Sequence, residues 1–322
     1  MYFELHCFGA PAVKLTKEII KMNTVYLEHI NWQTEKNADE FVKECEKNYN
    51  DQIQNIADEI KADYKSRPVI LLSGPSGSGK TTTALKLEAI LDSSGFETHT
   101  ISMDNYFTPL KIEEGSDLES PERMDIELLQ SHIVKIANCE EVSIPLFSFK
   151  TQSISGYRPL KRKKNELIIL EGIHALNPDV TGYNNDVTQR IFVNAERSVT
   201  DDVGMTLDSP KIRLMRRLVR DFYYRGRSFK DTVNIFEKVE NGSKSYVIPY
   251  KNRADFCVDS FIPYEICAFK NIVLKGFQDD NDDNSLSRSI CGFLQKAEEL
   301  DEAYIPKDSL LREFIGGSIY NY

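Results

Sequence analysis

Apolar positions along the chain follow two rhythms. Between Thr34 and Lys65, Ala38, Phe41, Val42, Cys45, Tyr49, Ile53, Ile56, Ala57 and Ile60 keep close to the spacing of one helical face. Charged residues fill the remaining positions, which predicts an amphipathic helix that must pack on something. Its own domain is the expected partner, with a subunit contact, and so a homo-oligomer, as the alternative. The unbroken apolar run Val69 to Leu72 predicts a buried strand instead, and further strands are expected at Phe96 to Met103, Leu167 to Leu170, residues 190–193 and Phe256 to Phe261. Helices are expected between them, over Thr81 to Leu91, Met124 to Ala137 with Asp125 near its start, the stretch KIRLMRRLVRD, residues 228–241 and Ser285 to Leu300. EVSIPLFSFKTQSISGYRPLKRKK alternates as a hairpin does, which would turn Phe147, Phe149 and Thr151 to one face. Strands alternating with helices predict an α/β fold, a parallel sheet with flanking helices and a small β-ribbon insertion. The pattern divides the chain into a mostly helical extension over 1–65, a main domain over 66–300 and a tail over 301–322; Met1 to Trp32 is weakly patterned.

The strand at Val69 to Leu72 runs into GPSGSGKT, where Gly74, Gly79, Lys80 and Thr81 fill every fixed position of the phosphate-loop pattern G-x-x-x-x-G-K-[ST]. Main-chain N–H groups wrap a triphosphate only where no β-carbon intrudes, so Gly74, Gly77 and Gly79 let the backbone approach the anion. The helix that follows points its partial positive charge at the same phosphates. Lys80 adds a full charge at the β and γ oxygens, and the Thr81 hydroxyl offers a ligand to Mg²⁺. The span assigned to the nucleotide is Gly74, Ser76, Gly77, Ser78, Gly79, Lys80, Thr81 and Thr82, with ATP or GTP as phosphoryl donor. The sheet is accordingly expected to be of the P-loop NTPase type.

Two carboxylates fall where ligands collect in open α/β sheets, just past the carboxyl ends of strands. Asp104 follows the strand ending in ISMDNYF, where the plain alternative is a turn former or helix cap. Glu171 ends the strand in NELIILEGIHAL, the position of an acid that holds magnesium or its water shell. Phe147 and Phe149 would be either ordinary core or a platform for a flat ring. The one strongly basic stretch carries Arg213, Arg216, Arg217 and Arg220 on a helix, with Leu214, Leu218 and Val219 inward and Arg225, Gly226 and Arg227 leaving it as a loop. Downstream of a phosphate loop it reads as an arginine-rich lid over the triphosphate, against a solvated face or a nucleic-acid helix.

Composition narrows the setting. The formal net charge of −10 disfavours general nucleic-acid or anionic-membrane binding. Six cysteines, none in a C-x-x-C pair, and five dispersed histidines show no zinc pattern and suggest reduced thiols. No basic start followed by an apolar core opens the chain and no stretch reaches bilayer-spanning length, so a cytoplasmic protein without membrane attachment is expected.

In order and spacing, GPSGSGKT, ISMDNYF, SPERMD, IPLFSF, LEGIHAL, RRLVRD…RGR and YKNRAD resemble the uridine kinase and phosphoribulokinase family, most closely the uridine/cytidine kinases, over roughly residues 68–275. The resemblance implies ATP-dependent, Mg²⁺-assisted phosphorylation of a nucleoside 5′ hydroxyl, as in pyrimidine salvage. It implies that Asp104 takes the acceptor proton and lies near the metal with Thr81 and Glu171, while Lys80 contacts phosphate. It further implies catalytic lid arginines at Arg217, Arg220 and Arg225, Arg217 and Arg227 also reaching the nucleoside, and a base enclosed by Phe147 and Phe149. Departures cluster on the acceptor side: Gln152 stands where the family has a histidine, Glu119 for the ribose-binding aspartate, Phe107 for a tyrosine and Ile235 for a glutamine. A pocket that exchanges hydrogen-bonding partners changes which acceptor it selects. The alternatives are a related kinase acting on another small alcohol or sugar phosphate, and a nucleotide-dependent binding or switch protein.

Overall fold

The computed structural model describes residues 24–109, 119–148, 151–280 and 284–322. In chain order the elements are β1 (Thr24–Tyr26), α1 (Leu27–Asp63), β2 (Val69–Ser73), α2 (Lys80–Ser93), β3 (Glu97–Ser102), α3 (Ile126–Ala137), β4 (Glu141–Ser148), β5 (Ser153–Lys161) and β6 (Glu166–Glu171). They continue with α4 (Pro178–Thr181), β7 (Thr188–Asn194), β8 (Ser198–Thr200), β9 (Thr206–Leu207), α5 (Ser209–Arg225), α6 (Phe229–Tyr246), β10 (Phe256–Asp259), α7 (Glu265–Asp279), α8 (Ser285–Leu294) and α9 (Arg312–Ile315).

Five strands form one parallel sheet in the order β10-β7-β2-β6-β3. β2 is the first of these five in chain order yet sits in the middle, with the next two, β3 and β6, on one side and the last two, β7 and β10, on the other, so the crevice at its carboxyl end is the topological switch point where such sheets bind ligands. Alternate side chains build two cores. Ile70 and Leu72 of β2, Leu167 and Ile169 of β6 and Ile191 and Val193 of β7 face one side with α1, α2, α5 and α7. Val69, Leu71, Ile168, Leu170 and Phe192 face the other with α3 and the β4–β5 hairpin.

α1 buries the predicted stripe, Phe41, Val42, Cys45, Tyr49, Ile53, Ile56, Ala57 and Ile60, on this domain. It begins at Leu27, within the stretch whose pattern is weak, and Asn37 interrupts it with non-helical φ −163. Gln52 pairs its amide with the backbone of Asp259, donating to its carbonyl at 3.1 Å and accepting from its N–H at 2.9 Å, so α1 closes the β10 edge. Asp125 is the cap of α3, its side chain accepting from Leu128 N–H at 3.0 Å.

Three elements differ from the sequence pattern. The hairpin slips register between Leu146 and Phe147, and Thr151 lies in the turn rather than on a strand, so the alternation does not carry from Phe147 to Thr151. Gln152 closes that turn with φ 52, a conformation periodicity does not signal. α8 stops at Leu294, where the backbone tightens into turns such as Ala297 N–H to Leu294 O. Residues 301–322 pack into the larger core through Ile305, Leu310, Leu311 and Phe314. Cysteines 45, 139, 257 and 267 are free thiols. Among the described residues no helix is long and apolar enough to cross a membrane.

Candidate functional site

The loop from Gly74 to Gly79 joins β2 to α2 under tight steric limits. A β-carbon on Gly74 would lie 2.0 Å from the Val193 carbonyl oxygen, and one on Gly79 2.4 Å from Leu310 Cδ1. Gly77 and Gly79 also have φ of 79 and 83, the left-handed region that glycine tolerates without strain. Gly79 is the cap of α2, whose first bond from the cap is Thr83 N–H to Gly79 O at 3.0 Å. The amides of Lys80, Thr81 and Thr82 thus belong to the helix end that has no intrahelical acceptor. A cradle that glycine alone permits, opening onto a helix N-terminus, fits the phosphates of a nucleotide.

Strand register brings the carboxylates to this loop. Glu171 pairs across β6 with Leu72 of β2 on one side and Ser102 of β3 on the other. The chain passes from Leu72 to Gly74 and from Ser102 to Asp104, so the two ends stand two strand spacings apart, about 10 Å. The side chain of Ser102 accepts from Asp104 N–H at 3.3 Å and thereby starts the short 3₁₀ turn that carries Asp104. Asp104 does sit at a cap-like turn, but it is the residue the cap holds rather than the cap itself.

Electrostatics ties the cluster together. Burial lowers the ammonium of Lys80, and the charges of Glu171, Glu313, Asp104 and Glu119 oppose that change. Its Nζ donates to the Pro75 carbonyl at 3.2 Å. Burial raises Asp104, with Lys80, Arg225 and Arg123 acting the other way. Burial pushes Glu171 up to about 7, Lys80 pulling it down while Asp104 and Glu313 add to the rise. Hard oxygen donors at Thr81, Asp104 and Glu171 suit Mg²⁺, and a carboxyl held this high by burial is one whose charge a cation would stabilise. In metal-free protein the sign follows directly: the neutral form of Glu171 is favoured in the fold, so its stability contribution is complete below about pH 4.5 and is lost as pH rises through about 7. With a chelator present, the melting temperature of wild type should fall relative to Glu171→Gln across that interval; parallel curves would refute it.

The arginine-rich segment is α5, and its first half is a wall of the loop. Arg213 donates to the Ser76 carbonyl at 3.3 Å and pairs with Glu240 at 2.6 Å. Arg216, fully buried, makes a two-pronged pair with Glu265 at 2.6 and 2.9 Å and reaches the Gly77 carbonyl at 3.3 Å. Ser260 lies between them, accepting from Arg216 and donating to the Ser78 carbonyl at 2.6 Å. Arg217 donates to the Ser76 hydroxyl, and burial lowers its guanidinium to about 10. Arg225 is the last helical residue rather than part of the loop, and left-handed Gly226 ends the helix.

Asp221 organises the remaining arginines. Arg217, Arg220, Arg225 and Arg227 lie 3.7, 2.8, 3.6 and 3.3 Å from its carboxylate. Burial would raise this acid, but the charges of Arg220, Arg217 and Arg225 hold it below the usual carboxylate range. Arg220 turns its donors onto Asp221, while the charges of Arg217 and Arg225 act on Glu119 and Asp104 respectively.

On the acceptor side, Phe107 and Phe147 meet edge to face at 5.9 Å, and Arg123 lies 4.9 Å over the Phe107 ring. Asn105 accepts from Phe147 N–H at 3.3 Å, which fixes the hairpin to the Asp104 turn. Glu119 is half-buried and packs on Gly242 of α6, where a β-carbon would lie 2.4 Å from the Glu119 Cβ. Gln152 stands in the hairpin turn, Ile235 is half-buried on α6, and Phe149 lies outside the described residues. Among the members of this region that sequence reasoning missed are Asp221, Glu265 and Glu313. Asp221 was legible in RRLVRD as an acid among arginines; the other two carry no local signal.

Compared with known proteins, residues 69–265 match the phosphoribulokinase / uridine kinase family. An inorganic pyrophosphatase of Arabidopsis thaliana, TTM2, is 26% identical over 245 residues, 75% of this chain and 33% of that protein. This chain therefore spans a third of that relative's length. The uridine kinase of Lactobacillus helveticus (strain DPC 4571) is 27% identical over 199 residues, 60% of this chain and 86% of the relative. Among solved structures, one described as a possible uridine kinase from Bacillus stearothermophilus is 19% identical with a TM-score of 0.46, covering 65% of this chain and 98% of that one.

Proposed function

The chain belongs to the phosphoribulokinase / uridine kinase family, and from that premise we propose that it transfers the terminal phosphoryl group of ATP to the 5′ hydroxyl of a pyrimidine nucleoside. The observation that carries this reading is the meeting of Lys80, Asp104 and Glu171 charges beside the glycine cradle at the switch point of the sheet.

The chemistry divides among few groups. Phosphoryl transfer is mostly positioning and charge stabilisation, so backbone donors from Gly74 to Thr81 orient the triphosphate and Lys80 meets its β and γ oxygens. Thr81, Glu171 and Asp104 would hold Mg²⁺, which when bound neutralises those oxygens. Asp104 accepts the proton of the attacking hydroxyl; burial raises its proton affinity, and the charges of Lys80, Arg225 and Arg123 act against that rise. Arg217 and Arg225 steady charge on the transferring group, and Asp221 holds their guanidiniums in place. The Phe107–Phe147 pair is suited to a flat ring, and Glu119 and Gln152 to its sugar and base edge. A relative named uridine kinase supports the nucleoside acceptor.

ADP formation measured with uridine, cytidine, a purine nucleoside, a sugar phosphate and water alone tests the assignment. Uridine or cytidine should accelerate ADP release at least tenfold over water. Stimulation by the sugar phosphate alone would move the acceptor to another alcohol. Turnover that no alcohol stimulates would overturn the kinase reading.

A further inference from the structure

The amino-terminal end of α2 presents backbone donors suited to an anion, and the chain places an anion of its own there. Oε2 of Glu313, on α9, accepts from Thr82 N–H at 3.3 Å and from Thr82 Oγ1 at 2.6 Å. The Tyr322 hydroxyl lies 3.2 Å from the same Thr82 oxygen. A carboxylate taking both a helix-terminal amide and the neighbouring hydroxyl reproduces the way a phosphate oxygen is held at such an end.

This arrangement rests on a fixed backbone. Ser309, Leu310, Leu311 and Phe314 are completely buried, and the side chain of Leu310 packs against Gly79. Ser309 Oγ lies 2.9 Å from the Tyr264 hydroxyl. The guanidinium of Arg312 donates to the carbonyls of Ile305 at 2.7 Å, Glu302 at 3.2 Å and Gly316 at 3.3 Å. The main chain at Glu313 therefore stays where it is, and the freedom to leave Thr82 belongs to the side chain.

Position along the triphosphate follows from the order of donors. Lys80 reaches the β and γ end. Thr82, two residues farther into the helix, faces the end nearer the nucleoside. We propose that Glu313 is a resident anion of the donor subsite nearest the nucleoside, which a nucleoside triphosphate must displace from Thr82 and which thereby sets donor affinity and discriminates among polyphosphates by length. The inference rests on the reading of Gly74 to Thr81 as a phosphate cradle. Its physical basis is competition for two donors together with repulsion between the carboxylate and the incoming phosphate, a repulsion that is large in a partly buried site. The same charge is felt at Lys80 and Glu171, so it lies within the field of the whole cluster.

Calorimetric binding of ATP and of inorganic pyrophosphate to wild type, Glu313→Gln and Glu313→Ala tests the assignment. Removing the charge should tighten ATP binding about tenfold, and pyrophosphate, which needs only the Lys80 end, no more than about twofold. Unchanged or weaker ATP binding by the variants would overturn the inference while leaving the cradle reading intact, and equal gains for both ligands would overturn the subsite assignment. Failure of wild type and variants alike to bind either ligand would remove the cradle reading and this inference with it. Should the variants not fold, the side-chain carboxyl carbon resonance of Glu313 in wild type decides: saturating ATP should shift it as the carboxylate leaves Thr82, and an unshifted resonance would refute displacement.

Discussion

Asp104→Asn should leave the protein folded and able to bind ATP while slowing acceptor phosphorylation about a thousandfold. The substitution keeps shape and one acceptor oxygen but deletes the basic site. The side chain is half-buried within the electrostatic reach of Lys80, so loss of its charge weakens the field at the ammonium without opening a cavity. ATP affinity should therefore hold or increase slightly, since one negative charge near the phosphates is gone. Paired measurement of turnover and of ATP binding separates the outcomes. Parallel loss of both would make Asp104 a residue that shapes the loop, and an unchanged rate would exclude it as the base.

Glu265→Ala should destabilise the fold by about 3–5 kcal/mol, the usual result of stranding one member of a buried ion pair. Arg216 and Glu265 are both completely inaccessible and joined by two parallel bonds. Glu265 also accepts from Ile262 N–H at 3.1 Å, so the truncation frees a backbone donor at the start of α7 as well. The damage should extend to the nucleotide site, because Arg216 supports Gly77 directly and Ser78 through Ser260. Urea unfolding gives the first effect and ATP binding the second. The double variant Arg216→Met/Glu265→Leu should recover much of the stability but not the loop contacts, since an apolar pair removes the stranded charge without restoring its hydrogen bonds. If Glu265→Ala melts like wild type, the pair is not what anchors the loop.

Much of the donor side was legible along the chain. The phosphate loop needs specific residues at fixed short spacing, and Gly74, Gly77 and Gly79 stand at positions where a β-carbon would collide or the backbone is left-handed. The strands were legible because burial on both faces leaves an unbroken apolar run, as at Leu167 to Leu170. The α1 stripe was legible because one face of a helix repeats every 3.6 residues. The hairpin turn was less so: Ser155 of β5 is left unpaired between the Leu146–Gly156 and Phe147–Ile154 pairs, and a periodic pattern contains no record of such a bulge. The basic stretch read as an open lid, yet Arg213, Arg216 and Arg217 are buried. A guanidinium can be placed in the interior when carboxylates such as Glu240 and Glu265 meet it, and those partners lie on other elements.

By itself, then, the sequence determined what depends on neighbours within a few residues: the cradle of Gly74 to Thr81, the strand ends that carry Asp104 and Glu171, and the apolar faces that drive the sheet and its helices together. Tertiary structure alone decided which distant charges meet. Glu240 on Arg213, Glu265 beneath the loop and Glu313 on Thr82 are pairings across the fold. Electrostatic and hydrogen-bond partners are selected by proximity in space, and a single acidic residue far along the chain bears no mark of the donor it will face until the sheet has closed around both.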